Sequence, residues 1–222
     1  MDELQKINII YEDNHIIVVE KPVNIPVCDD SSHDRNLLTM LKNYIKYKYD
    51  KPGNVYLGLV HRLDRPVGGV MVFARTSKAA SRLGKQISSK QLEKVYYAVI
   101  EGKIDKEGEM IDYLIKDNKT NFSYVGDKNH GKEAKLRYKR IGYKDNYSLV
   151  EIFLDTGRSH QIRVQFSSRG FPLVGDQRYG KNRDGKTNIA LFSHKLVFNH
   201  PISNERMTFN LDIPKRYPFN LF

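Results

Sequence analysis

Two short apolar runs, residues 56–60 and 70–74, are joined by a stretch that is both brief and heavily charged. It reads His61-Arg62-Leu63-Asp64-Arg65-Pro66-Val67-Gly68-Gly69. The runs predict buried strands, and Pro66 with the two glycines predicts a tight connection between them. A His, two Arg and one carboxylate are costly to bring near a core, because a charge in low-dielectric surroundings must be paired or neutralised. The pairable cations His61, Arg62 and Arg65 around Asp64 favour an ionised carboxylate at a strand end. Such a group is a candidate nucleophile or base. The same spacing fits a salt-bridged strand connection, and the residues alone support both readings.

The rest of the chain limits what that carboxylate can serve. Lys plus Arg total 37 against 26 for Asp plus Glu, a net charge of +11, with 14 Tyr and 10 Phe among them. A basic surface interleaved with aromatics suits phosphate backbones and unstacked bases, although a lysine-rich solubilising surface has the same composition. No basic amphipathic helix of the membrane-surface kind is evident. The single cysteine, Cys28, excludes an intramolecular disulfide and fits a reducing compartment. The N-terminus lacks the basic-then-apolar order of a signal peptide, and no apolar run approaches the roughly 20 residues of a membrane span. A soluble cytoplasmic protein is expected.

Along the chain, residues 7–11 and 15–19 predict a hairpin turning at residues 12–14. A loop over residues 21–32, with Pro22 and Pro26, leads to a helix carrying Leu37, Leu38, Leu41, Ile45 and Lys48, with Asp34 as its cap. Thr76 caps a second helix whose apolar face is Ala79, Ala80, Leu83 and Ile87. Residues 93–101 read as a strand, and residues 136–143 and 147–155 as a hairpin around Lys144-Asp145-Asn146. Thr156-Gly157 leads to a third helix with Ile162 and Phe166, stopped by Gly170. Residues 189–198 and 206–211 give the last strands. Turn-rich strands with scattered helices predict an α+β fold with a largely antiparallel sheet, organised as one domain over residues 1–222.

Several familiar constellations are missing. There is no glycine-rich dinucleotide fingerprint, no Gly-Lys-Ser/Thr phosphate loop, no GxSxG elbow and no HExxH, and the seven His are scattered. Metal ligation is therefore not expected. Two further patches stand out. Over residues 155–166, Gly157 allows a tight turn into a helix whose N-terminal N–H groups face an anion, and Arg158, His160, Gln161, Arg163 and Gln165 add donors. On a helix Ser159, Arg163 and Phe166 share a face, which puts Arg163 on the buried side. There it demands a carboxylate partner, for which Asp64 is attractive. A solvated helix with incidental charges is the alternative. In the strand Lys94-Val95-Tyr96-Tyr97-Ala98, Lys94 and Tyr96 share a face. A Tyr beside a Lys can stack on a base and handle a proton, or simply fill the core.

These patches, in this order, resemble the RluA-type family of RNA pseudouridine synthases. The match begins at Lys21-Pro22 and Ile25-Pro26-Val27 and continues through His61-Arg62-Leu63-Asp64 and Lys94-x-Tyr96-x-Ala98. It then takes in Thr156-Gly157-Arg158-x-His160-Gln161-Ile162-Arg163 and closes with Pro172-Leu173-Val174-Gly175-Asp176 and Tyr179-Gly180. The resemblance implies the pseudouridine synthase fold, a largely antiparallel mixed sheet with flanking helices. It implies isomerisation of uridine to pseudouridine in structured tRNA or rRNA, after base flipping, without metal or organic cofactor, by a monomer. It names Asp64 as the catalytic aspartate, Tyr96 as the tyrosine that stacks on the uracil, and Arg163 as the arginine that pairs with the aspartate. Arg62 takes the flipped base's place in the stack. His61, Lys94, Arg158, His160 and Gln161 complete the RNA-binding set.

The chain departs from that pattern in three ways. Pro66-Val67-Gly68-Gly69 stands where the family has Thr-Ser-Gly, so two hydroxyls are gone, and Asn24 replaces the glycine common after Lys-Pro. An N-terminal S4 RNA-binding domain finds no room, which leaves target choice to the catalytic domain and to loops such as residues 126–132 and 181–186. A catalytically inactive RNA-binding relative is the alternative function. A sugar-bond hydrolase would need a second carboxylate, and only Glu93 and Asp155 stand near the patches.

Overall fold

The computed structural model describes residues 7–29 and 34–222. In chain order its elements are β1 (Asn8–Glu12), β2 (Ile16–Lys21), α1 (Leu37–Lys48), β3 (Gly58–Leu59), β4 (Gly68–Ala74), α2 (Ser77–Ser88) and β5 (Glu93–Glu101). They continue with β6 (Glu107–Asp117), β7 (Phe122–Gly126), β8 (Lys132–Lys144), β9 (Tyr147–Leu154), α3 (Gln161–Ser167), β10 (Leu191–Asn199) and β11 (Arg206–Asn210). The fold is α+β. The chain divides into two compact units: the described part of Met1–Leu92 with Lys195–Leu211, and Glu93–His194 with Asp212–Phe222. The boundary falls within β10.

The first unit is built on β1, β2 and β4, with β3 on β4 and β11 on β10, and the registered pairs are antiparallel. Asp13 makes the first turn, its Oδ1 accepting the N–H groups of His15 (2.7 Å) and Ile16 (2.8 Å). Ile16, Ile17, Val18 and Val19 are all fully buried, and so are Val70, Met71, Val72, Phe73 and Ala74, so β2 and β4 are covered on both faces. Ile16, Val18, Val70 and Val72 pack with Ala79 and Leu83 of α2 and with Phe198 and Phe209. Asn36, not Asp34, caps α1, its side chain accepting the Thr39 N–H at 2.9 Å. Asp34 instead pairs with Arg65. Thr76 caps α2 as its sequence indicates, accepting from Ala79 N–H at 3.1 Å. The buried strand expected over residues 56–60 shrinks to the two residues of β3, and Tyr56 is half exposed. The end of the loop over residues 21–32 lies outside the described residues.

The second unit orders its strands β10-β5-β9-β8-β6-β7, and the pairs from β5 to β7 are antiparallel. The β8–β9 hairpin turns on Asp145 (φ 51°) and Asn146 (φ 62°), both left-handed, which suits a tight hairpin. Tyr96, Ile152 and Tyr138 sit opposite one another across β5, β9 and β8. The Tyr138 ring meets Phe166 of α3 edge-on at 5.6 Å, so α3 covers the sheet face that carries Tyr96. Gly170 (φ +83°) follows α3 and lets the chain leave it. The helix starts at Gln161, four residues after Gly157, and β6 and β7 carry no clear strand signal in the sequence.

Candidate active site

In the first unit the ladder places Lys21 opposite Gly69, and this pairing organises the Asp64 turn. The turn closes through Val67 N–H to the Asp64 carbonyl at 2.9 Å. Lys21, only 1% exposed, donates to the carbonyls of Pro22 (2.9 Å), Arg65 (2.9 Å) and Val67 (2.8 Å). Two of these bonds hold the backbone just after Asp64, and the third ties the lysine to its own neighbour. Burial pulls the Lys21 pKa down to about 7, against the opposing attraction of Asp64. Gly69 sits at φ +123°, a conformation that side chains rarely adopt, immediately before the strand.

The departures from the family pattern now have a physical account. Val67 is buried and supplies Lys21 with a main-chain oxygen, an anchor that needs no hydroxyl. Asn24 adopts φ 65°, and asparagine tolerates this left-handed region better than other residues with a side chain. The turn after Lys21-Pro22 is therefore kept. Its carbonyl accepts from Arg65 Nε at 3.2 Å.

The neighbours of Asp64 divide by exposure. Arg62 and Arg65 point to solvent, Leu63 is buried and Asp64 is partly exposed. His61 Nε2 accepts the Val72 N–H of β4 at 3.1 Å, which leaves the ring proton on Nδ1 and commits this edge of the ring to the sheet.

In the second unit Lys94 and Tyr96 leave β5 on the face covered by α3, and Tyr96 is buried. Burial lowers the pKa of Lys94. A Cβ on Gly157 would meet Lys94 Nζ at 3.0 Å, the movable end of a long side chain, so the contact does not itself demand a glycine. It is His160, with φ 54°, that carries the left-handed turn into α3. Gln161 is buried, and its amide is used up locally. Its Oε1 accepts from Thr156 Oγ1 (2.8 Å) and Arg158 N (3.0 Å), and its Nε2 donates to the Lys135 carbonyl (3.1 Å). It therefore ties the 156–158 loop to β8 and does not present its amide to a ligand. Arg158 is exposed and donates from Nε to the Glu133 carbonyl at 2.7 Å.

Arg163 is 5% exposed, on the buried side of α3 as expected. Its bidentate carboxylate is Asp176, a residue given no role from sequence: Nε to Oδ2 at 2.8 Å and Nη2 to Oδ1 at 2.7 Å. Burial alone would raise the pKa of Asp176, but the Arg163 bonds and charge, with the N–H groups of Arg178 and Tyr179, hold it below the ordinary value. The signal was available, since a buried Arg needs a carboxylate, but the partner lies 13 residues away in a turn.

The chain thus offers a partly exposed carboxylate on a braced turn, a buried tyrosine beside a half-buried lysine, and an arginine fixed by a second carboxylate. Of the two other carboxylates near the patches, Glu93 is exposed and Asp155 faces Arg137 at 3.4 Å.

Comparison with known proteins bears on this arrangement. A family model described as RNA pseudouridylate synthase matches residues 15–168. The chain is 34% identical over 224 residues to an uncharacterized RNA pseudouridine synthase of Aquifex aeolicus, covering 95% of this chain and 71% of that protein. It is 32% identical to a ribosomal large subunit pseudouridine synthase D of Zymomonas mobilis, covering 94% and 70%. Among solved structures, human RNA pseudouridylate synthase domain containing 4 superposes with a TM-score of 0.80 over 96% of this chain and 91% of that one. At 20% identity this shows a shared fold.

Proposed function

This chain belongs to the RNA pseudouridylate synthase family, a class of isomerases, and from that premise we propose that it converts uridine to pseudouridine in structured tRNA or rRNA with Asp64 as the catalytic carboxylate. The N1–C1′ bond breaks, the uracil turns while bound, and C5 joins C1′ as its proton leaves and N1 regains one. The observation that carries the reading is the Asp64 turn, pinned through the carbonyls of Arg65 and Val67 by one buried lysine. A reacting carboxylate must be held close to its productive geometry, and a braced turn does this without covering the group.

Tyr96 stacks on the uracil and takes part in moving the C5 proton, and Arg163 orients the carboxylate. Arg62, exposed beside Asp64, fills the gap left by the flipped base, where a planar cation offsets part of the few kcal/mol that unstacking costs. Lys94, Arg158 and His160 contact the RNA, while His61 and Gln161 hold the loops that carry these residues. The family's motifs run along the chain from Lys21 to Gly180, which supports treating residues 1–222 as one catalytic domain. The name of the Zymomonas relative supports ribosomal RNA as substrate. The enzyme works without metal or organic cofactor, as a monomer, in the cytoplasm. Among the described residues no helix is long and apolar enough to cross a membrane.

The test is carbodiimide-adduct reverse-transcription mapping on unmodified tRNA and rRNA transcripts, with wild-type protein and with Asp64→Asn. Wild-type protein should give new stops and the variant none, with RNA binding kept. Conversion by the variant at the wild-type rate would remove Asp64 from the chemistry. Salt-sensitive binding with no stops from either protein would favour the binding-only alternative.

A further inference from the structure

The closing sequence motif, Gly175-Asp176 followed by Tyr179-Gly180, has a use within the second compact unit that the roles above do not include. Tyr179 meets Asp176, Arg163, Ser123 and His160 there. Its N–H donates to Asp176 Oδ1 at 3.1 Å, and its ring lies 5.2 Å from the Arg163 guanidinium carbon. Its hydroxyl is 2.8 Å from the Ser123 N–H of β7 and 2.8 Å from Nδ1 of His160. Two glycines make this closeness achievable. A Cβ on Gly180 would sit 2.4 Å from the Asp176 carbonyl, and Gly175 has φ +72°.

One arrangement of the protons satisfies every group at this contact. Ser123 N–H can only donate, so the phenol oxygen accepts it. Burial raises the phenol's pKa, so the group keeps its own proton at neutral pH. That proton needs an acceptor, and the atom within reach is His160 Nδ1. An imidazole that accepts on Nδ1 carries its proton on Nε2. His160 meanwhile holds a left-handed backbone at the start of α3, and its side chain makes no capping bond to the helix. In that position its Nδ1 meets the Tyr179 hydroxyl.

We propose that Tyr179 is a positioning residue for the reaction, holding the Arg163 guanidinium against Asp176 and fixing His160 in its Nε2–H tautomer. Asp176 grips the guanidinium along the Nε and Nη2 edge while the Tyr179 ring supports its face. Restraint in both directions removes the rotations that a catalytic pair would otherwise have to freeze at each turnover. The inference rests on the reading of Arg163 given under Proposed function and extends it to a residue outside that set.

The experiment pairs Tyr179→Phe, which keeps the ring and deletes the hydroxyl, with nitrogen-15 NMR of labelled histidine. In wild-type protein His160 should show a protonated Nε2 and an accepting Nδ1, and in the variant this single tautomer should be lost. Single-turnover pseudouridine formation should fall about tenfold, the equivalent of one lost hydrogen bond, with RNA affinity within about twofold of wild type. Normalising the rate to the folded fraction, from thermal melts, separates positioning from simple destabilisation. Protonated Nδ1 in wild-type His160, or a wild-type rate from folded Tyr179→Phe, overturns the proposal. The NMR measurement needs no activity, so a wild-type protein that converts no RNA counts against the proposed function and is distinguishable from either result.

Discussion

Lys21 illustrates how one buried charge sets both geometry and pH response. Its native pKa of about 7 lies below the ~10.4 of an unfolded lysine. Between those values the unfolded chain binds the extra proton, so stability rises with pH, and below about 7 both states are protonated and the effect is flat. Denaturant unfolding of wild type and Lys21→Met across pH 6 to 9 should show the wild-type advantage widening above pH 7. A difference that stays constant over that range would exclude the shift. Asp176 is the second informative residue. Asp176→Asn removes the charge of the carboxylate that grips Arg163 from two nitrogens, and breaking that buried pair should cost about 3–5 kcal/mol, read from the same denaturation curves. Tyr96→Phe should keep stacking, worth roughly 1–3 kcal/mol per base, so RNA affinity should hold while turnover drops. Unchanged turnover would take Tyr96 out of proton transfer.

Elements followed their local signals where those signals were self-contained. Thr76 as a cap and Asp145-Asn146 as a hairpin turn are both read from a few adjacent residues, and both stand in the fold. Asn36 shows the limit, since Asp34 and Asn36 are both good capping residues and only one can meet the Thr39 N–H. Asn36→Ala should lower stability by about 1 kcal/mol, whereas Asp34→Ala should leave α1 unaffected, by denaturant midpoint. The strand β6 had no legible pattern because its two faces are both partly apolar: Met110 and Leu114 point into the core while Ile111 is half exposed. Alternation is then too weak to separate strand from loop. Residues 56–60 depart in the opposite direction, as an apolar run of which Gly58 and Leu59 alone pair with β4.

Across the whole molecule the net charge of +11 is the term that governs encounter with RNA. Lys and Arg that neutralise phosphates release counterions, so affinity should fall about tenfold or more between 50 and 200 mM salt. Fluorescence anisotropy with a tRNA or rRNA fragment measures this directly, and a flat response would count against RNA as the substrate. Arg62→Ala, a single exposed cation, should change the salt slope by about one charge. If Arg62 replaces the flipped base, that variant should also lose rate at saturating RNA.

The family resemblance singles out Asp64, Tyr96 and Arg163, and the amino-acid sequence by itself determined the fold class and the hairpin and helix positions that rest on turns and caps. Each of these is specified by nearest neighbours along the chain, through side-chain period, capping and turn chemistry. Only the tertiary structure decided which carboxylate grips Arg163, which carbonyls Lys21 holds, that Gln161 is spent on a loop, and that Tyr179 reaches His160. Those outcomes depend on which groups meet once water is excluded. A buried charge or amide takes the partner that the packed backbone brings within about 3 Å, and sequence spacing does not encode that choice.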